Sequence, residues 1–261
     1  MNIGGNTVLI TGGSRGIGFE FAKQLAAAGC TVIATGRDEA RLKKAQELLP
    51  ALKTIKSDAS RAEDVAALLK TVTERFPKLN VLINNAGVMD RINLHDEGAD
   101  LDALTREIDV NLKGPIRMAK AFLPHLKKQE RAAIVNVSSG LAFVPLPTSP
   151  VYCATKAGLH SFTLSLRVQL KNTRVQVFEV APPATSTELL AHADEADMKG
   201  VSIMATDAMV AESIAGLASD KLEITPGQAK QLKFMNRVAP QFILNQLSKP
   251  VDRMLAKTAG R

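Results

Sequence analysis

The sequence has little of several residue types that would settle a function class at once. Among 261 residues there are two cysteines, four histidines, one tyrosine and no tryptophan. Cys30 and Cys153 could close one bridge at most, which argues against a disulfide scaffold and fits a reducing compartment. The histidines and cysteines are scattered without zinc-ligand spacing, so no metal is expected. No apolar run reaches the roughly 18 residues of a membrane span. The opening MNIGGNTVLITGG lacks a basic flank, a long apolar region and a small-residue cleavage site, so a soluble, unexported, cytoplasmic protein is expected.

What is present is ordinary globular material. Apolar residues make up 46% and charged residues 23%, enough for a sizeable core, and 261 residues suit a single α/β domain spanning 1–261. Thirty-three basic against 26 acidic residues give a net charge of +7, which favours an anionic partner. Nucleic acid is not expected, because the usual combination of stacking aromatics and a long basic block is missing. A phosphate-rich small ligand explains the charge equally well.

Short runs rich in β-branched residues recur with helical patterns between them. Asn6–Ile10, Thr31–Thr35, Thr54–Lys56, Val81–Ile83, Ala133–Val137 and Val175–Val180 read as strands, with a shorter one at Leu222–Ile224. Gly29 and Pro50 stop the intervening helices, and Ser60-Arg61-Ala62-Glu63 has capping-box spacing at the start of another. Strands separated by helices cannot pair through tight hairpins, so a doubly wound parallel sheet covered by helices on both faces is predicted. Two regions break the alternation, the first a turn-rich bridge at Pro145-Leu-Pro-Thr-Ser-Pro150. Residues at about 184–205 form an excursion too long for a routine connection and read as a lid. The tail at about 226–261 mixes basic residues with Phe234, Val238, Phe242 and Leu247; it reads as a packed helix with a solvated basic face, with membrane-surface or subunit contact as the alternative.

Thr11-Gly12-Gly13-Ser14-Arg15-Gly16-Ile17-Gly18 lies between the first strand and a helix. Gly12 suits a tight turn, Gly16 a close approach of backbone to a pyrophosphate, and Gly18 close helix packing, while the helix start offers amides and a positive dipole. An NAD site places an acid at the end of the second strand; this chain has Ala34-Thr35-Gly36-Arg37 there. Arg37 and Arg15 are therefore expected to clamp a 2′-phosphate, which favours NADP(H), with NAD(H) as the alternative. Asp38 reads as the N-cap of the following helix. Asp58 is placed to accept from an adenine amino group or to start a helix. Asn85, Ala86 and Gly87 follow the fourth strand at the edge a ligand would cross, with Gly87 admitting close backbone approach.

Tyr152 and Lys156 are four apart in a predicted helix, Val151 to Lys171, and share a face. The Lys156 ammonium is expected to lower the phenol's pKa toward the working range of an acid-base catalyst. Ser139 ends the fifth strand at the same sheet edge and can donate to a substrate carbonyl, with Ser138 the weaker candidate. Asn111 suits a water linking Lys156 to solvent.

In order and spacing, the glycine loop, Asn84-Asn-Ala-Gly87, Asn111, Ser139 and Tyr152-x-x-x-Lys156 resemble the short-chain dehydrogenase/reductase family over about residues 6–190. Ser138-Ser-Gly-Leu-Ala-Phe143 and Ala181-Pro-Pro183 resemble its DltE-type branch. The resemblance implies a Rossmann sheet of about seven strands, homo-oligomerisation, and hydride transfer between a nicotinamide and a small-molecule carbonyl or alcohol. It further implies an Asn–Ser–Tyr–Lys catalytic set and cofactor contacts from Tyr152, Lys156, Pro182 and Thr187. Pro183 stands where the family has Gly, so a different path for the nicotinamide-side loop is expected. A catalytically silent dinucleotide sensor is the rival reading, since a fold alone does not establish chemistry.

Overall fold

The computed structural model describes residues 1–190 and 201–259. Strands β1 (Thr7–Thr11), β2 (Thr31–Gly36), β3 (Lys53–Lys56), β4 (Leu79–Asn84), β5 (Ala132–Val137), β6 (Val175–Val180) and β7 (Glu223–Ile224) form one parallel sheet in the order β3-β2-β1-β4-β5-β6-β7. The chain runs outward from β1 to β3, then returns to place β4 on the other side of β1. This reversal opens a crevice at the carboxyl ends of β1 and β4, where ligands of such sheets bind.

Alternation along the strands builds two cores. Val8, Ile10, Val32, Ala34 and Val135 face α1 (Gly16–Ala27) and α7 (Thr206–Ala218), meeting Phe21, Leu25 and Met209. Leu9, Ile33, Leu82 and Ile134 face the other way, onto α3 (Ala62–Arg75), α5 (Gly114–Leu126) and α6 (Pro150–Gln169), meeting Leu68, Met118, Phe122 and Leu166. Burial on both faces explains why these strands read as continuous apolar runs. Between them lie α2 (Glu39–Leu48) and α4 (Leu101–Ile108), the latter continuing through a π turn, Asp109–Lys113, into α5.

Several local expectations change. Ser60 does not cap α3: its N–H and hydroxyl both donate to Asp58 Oδ1, and Arg61 takes the cap position without a side-chain bond. Asp58 thus captures the hydroxyl that capping would use. Asp38 does cap α2, accepting from Arg41 N–H at 3.1 Å. Helix α6 starts one residue earlier than expected, with Pro150 in its first turn, where a missing N–H costs nothing.

The tail forms α8 (Ala229–Val238) and α9 (Pro240–Ala259), separated at Ala239 because the residue before a proline avoids helical geometry. Its packing is looser than expected. Only Ala229 of α8 is buried, and Phe234, Val238 and Phe242 are each more than half exposed. The base of the long excursion is closed by an isolated bridge between Thr185 and Met204, while residues 191–200 of the expected lid lie outside the described residues. Among the described residues no helix is long and apolar enough to cross a membrane.

Candidate active site

The glycine loop leaves β1 through Gly12 and enters α1 through Gly16, both in left-handed backbone (φ +65° and +52°) that other residues rarely adopt. Gly18 faces the turn so closely that a Cβ there would lie 2.3 Å from Gly12 O and 2.4 Å from Asn85 Nδ2. No side chain caps α1, so its first amides are available to an anion. Thr187 stands beside Gly16, Ser14 beside Gly36, and Ile17 packs onto the core beneath the turn. Asn85 ties this loop to the one after β4. Its Nδ2 donates to Thr11 O and Gly12 O, and the N–H groups of Asn85 and Ala86 both donate to Thr11 Oγ1.

Cations collect at the end of β2. Arg37 lies 4.0 Å from Asp58, and both Arg15 and Arg41 reach Glu188, Arg41 at 3.4 Å. The arginines, with Lys44 nearby, hold the exposed Glu188 carboxyl below its usual range, the Arg15 hydrogen bond contributing most. Arg41 escaped the sequence reading, although its position four residues after Arg37 at a helix start was a usable signal. Glu188 comes from far along the chain and left no such signal.

At the carboxyl edge of β4 and β5, one helical run and one loop meet. Asn111 sits in the π turn, wholly buried. Its Nδ2 donates to Val88 O at 2.8 Å and Thr155 Oγ1 at 3.2 Å, and its Oδ1 accepts from Val88 N–H at 2.9 Å. Both amide hydrogens are spent, so a water there is left with a lone pair of Oδ1 or with the backbone that a π turn frees. The bare side of Gly87 faces Asn111 Oδ1 and Lys156 Nζ together, a Cβ there falling 3.5 and 3.6 Å from them.

Ser139 Oγ accepts from Leu141 N–H at 3.1 Å, which leaves its own hydrogen to donate elsewhere, and the hydroxyl is near enough to Tyr152 to favour its phenolate. Lys156 Nζ donates to Val137 O at 2.9 Å and lies 5.6 Å from the Tyr152 ring centre. Burial works against the expected priming of the phenol. Burial pushes Tyr152 up to about 12, with the Ser139 hydrogen bond acting against it, while burial draws Lys156 down to about 8, opposed by Glu107 and Glu179. Desolvation penalises the charged form of each.

Ser138 turns away from the cleft. Its Oγ donates to Glu179 Oε1 at 2.5 Å, and His160 Nδ1 meets Glu179 Oε2 at 2.7 Å, chiefly through which the His160 pKa is raised. The carboxylate, not the imidazole, touches the serine, so this is no nucleophilic triad. Ligand atoms of Glu223 join the pair within 4.8 Å, a grouping that chain spacing hides because it spans α6, β6 and β7. Lys233 already pairs with Glu223 and rides 4.9 Å over Phe143, whose ring meets His160 edge-on. Pro182 O accepts from Gly140 N–H at 2.8 Å, fixing the turn after β6 against the one after β5, and Pro183 O accepts from Thr185 Oγ1. Both thiols, Cys30 and Cys153, are free.

The short chain dehydrogenase family pattern matches residues 6–198, spanning the glycine loop, Asn111, Ser139, Tyr152 and Lys156. The chain belongs to the short-chain dehydrogenase family. This short-chain dehydrogenase is 42% identical over 250 residues to the uncharacterized oxidoreductase DltE of Bacillus subtilis (strain 168), covering 95% of this chain and 98% of that one. An uncharacterized oxidoreductase of Staphylococcus saprophyticus is 35% identical over 202 residues, covering 76% and 81%. Among solved structures, a short chain dehydrogenase from Burkholderia cenocepacia J2315 in complex with NADP has a TM-score of 0.82 at 28% identity, covering 96% of this chain and all of that one. The 3-ketoacyl-(acyl-carrier-protein) reductase from Brucella melitensis complexed with NADH has a TM-score of 0.75 at 29% identity, covering 84% and 93%.

Proposed function

We propose that the protein is an NADP(H)-dependent oxidoreductase acting on a small-molecule carbonyl or alcohol, with Tyr152 as general acid and base. The observation that carries the reading is the convergence of Ser139, Tyr152, Lys156 and Asn111 at one sheet edge beside the bare backbone of Gly87. The loop residues fit a dinucleotide: the start of α1 is uncapped, and Gly12 and Gly16 keep its approach free of side chains. A Burkholderia relative carries NADP and a Brucella relative NADH. Arg15, Arg37 and Arg41 at the end of β2 favour a phosphorylated ribose, with Glu188 as the anion displaced from Arg15 and Arg41.

When bound, the dinucleotide supplies or takes up the hydride, and its oxidised ring brings a positive charge near the phenol. Ser139 donates its hydroxyl hydrogen to the substrate oxygen, and Tyr152 Oη gives that oxygen a proton in reduction or removes one in oxidation. Lys156 favours phenolate when charged, and also binds the cofactor ribose. Asn111 fixes the Val88 segment and supports proton supply.

A silent sensor would need only the glycine loop. The buried Lys156 ammonium costs stability, a cost a silent sensor has no use for, which supports turnover. The same reading includes a lid at 184–205, assembly into homo-oligomers, to which the exposed Leu164 and Val168 of α6 offer apolar surface, and a cytoplasmic location suited to two free thiols. An absorbance screen at the reduced-nicotinamide band, run with both dinucleotides over ketones, aldehydes and alcohols, tests the proposal. Turnover faster with NADPH than NADH is expected, and turnover only with NADH would overturn the cofactor choice.

A further inference from the structure

Glu107 lies on α4 one turn before Asn111, and none of it is exposed. Its Oε1 accepts Asp90 N–H at 2.5 Å; its Oε2, equally shut from solvent, has no hydrogen-bond partner among the described residues. A buried carboxyl with a bare oxygen is costly, and a Met of similar volume would fill the space without that cost. Packing alone does not account for it.

Its surroundings tie it to the active site. Three residues of one continuous helical run hold the segment 88–90: Arg106 pairs with Asp90 at 2.8 Å, Glu107 takes the Asp90 N–H, and Asn111 exchanges two hydrogen bonds with Val88. That segment continues directly from Gly87, whose open side faces Lys156 Nζ. The charged and titratable groups around Glu107 are Asp90 on this segment, Arg106 on α4, and Lys156, Tyr152 and Cys153 on α6. Burial pushes the Glu107 carboxyl up to about 7, the Asp90 hydrogen bond acting against it.

We propose that Glu107 is a positioning residue of the active site: Oε1 fixes the 88–90 segment beside Lys156, and the buried, unbonded Oε2 holds a proton whose release puts a negative charge within electrostatic reach of Lys156. The proposal rests on the oxidoreductase reading of Tyr152 and Lys156. The carboxylate form keeps Lys156 charged to higher pH, and it opposes phenolate at Tyr152. The protonated form does neither.

Two readouts test this without a substrate. The Asp90 amide points at Oε1, so its resonance in two-dimensional amide NMR should move with pH around a midpoint of about 7 in the wild type. It should stay still in Glu107→Gln, whose amide oxygen can accept the same N–H. With one tyrosine and no tryptophan, tyrosinate absorbance reports Tyr152 alone. Read after a rapid pH jump, before alkali unfolds the chain, its midpoint should fall in Glu107→Gln because the opposing carboxylate is gone. A wild-type Asp90 amide that stays fixed between about pH 5.5 and 9, or tyrosinate midpoints equal in the two chains, overturns the proposal. If the Gln variant fails to fold, the wild-type amide titration decides alone. A Tyr152→Phe chain that stayed active would instead refute the acid-base role of Tyr152 and leave both readouts standing.

Discussion

Lys156 puts an ammonium where the fold least favours one. Its folded pKa of about 8 lies below the ordinary 10.5, so its contribution to stability is present above the unfolded value and is lost as pH falls through about 8. At pH 7 the chain therefore bears the cost of a buried cation, offset in part by Val137 O. Lys156→Met should raise stability at pH 7 by on the order of 1–3 kcal/mol while lowering turnover by orders of magnitude. The stability gain should shrink toward about pH 10, where the folded lysine is already neutral and the unfolded one is beginning to lose its proton. Urea unfolding at the two pH values measures it, and a Met variant less stable at both would show that the ammonium contributes more than its burial costs. Arg37 is the second single-residue test. Arg37→Ala should weaken NADPH binding by about tenfold or more, the range of a charge-assisted hydrogen bond, and leave NADH binding within about twofold. Fluorescence titration of the reduced nicotinamide separates the two, and equal losses for both dinucleotides would remove Arg37 from the phosphate site.

The turn from β1 into α1 works only because its backbone meets backbone. A methyl at Gly18 would press on Gly12 O, which cannot move aside as a side chain would, and on the Asn85 amide that links the β1 and β4 loops. Gly18→Ala should lower stability by about 1–3 kcal/mol and weaken dinucleotide binding with it, readable by urea unfolding and titration. Unchanged stability would mean the turn relaxes freely. Such elements were legible in the sequence because their signals are local. Strands buried on both faces read as apolar runs, Gly29 and Asp38 mark helix ends through their own backbone and side chains, and Tyr152 and Lys156 share a face by helical spacing. What stayed hidden depends on residues meeting across the fold. Asp58 took Ser60 from the cap of α3, Glu188 met Arg15 and Arg41, and Glu107 and Glu179 act on Lys156 electrostatically from other elements. The inverted pKa pattern of Tyr152 and Lys156 belongs to the same class, because spacing reports proximity and says nothing of desolvation.

At the scale of the whole molecule, a parallel sheet with a reversal beside β1 brings the glycine loop at the uncapped start of α1 and a hydroxyl, phenol and amine group to one edge. The sheet explains why they meet, and the local burial explains why the phenol stays protonated until charge arrives. The claim on which the account turns is that the Tyr152 hydroxyl moves the proton. The direct measurement compares wild type and Tyr152→Phe for nicotinamide absorbance change on the best substrate of the screen, with NADPH affinity measured on both. Turnover in Tyr152→Phe should fall by about 10²-fold or more with affinity nearly unchanged. Turnover in the Phe variant within a few-fold of wild type, at equal affinity, would contradict it.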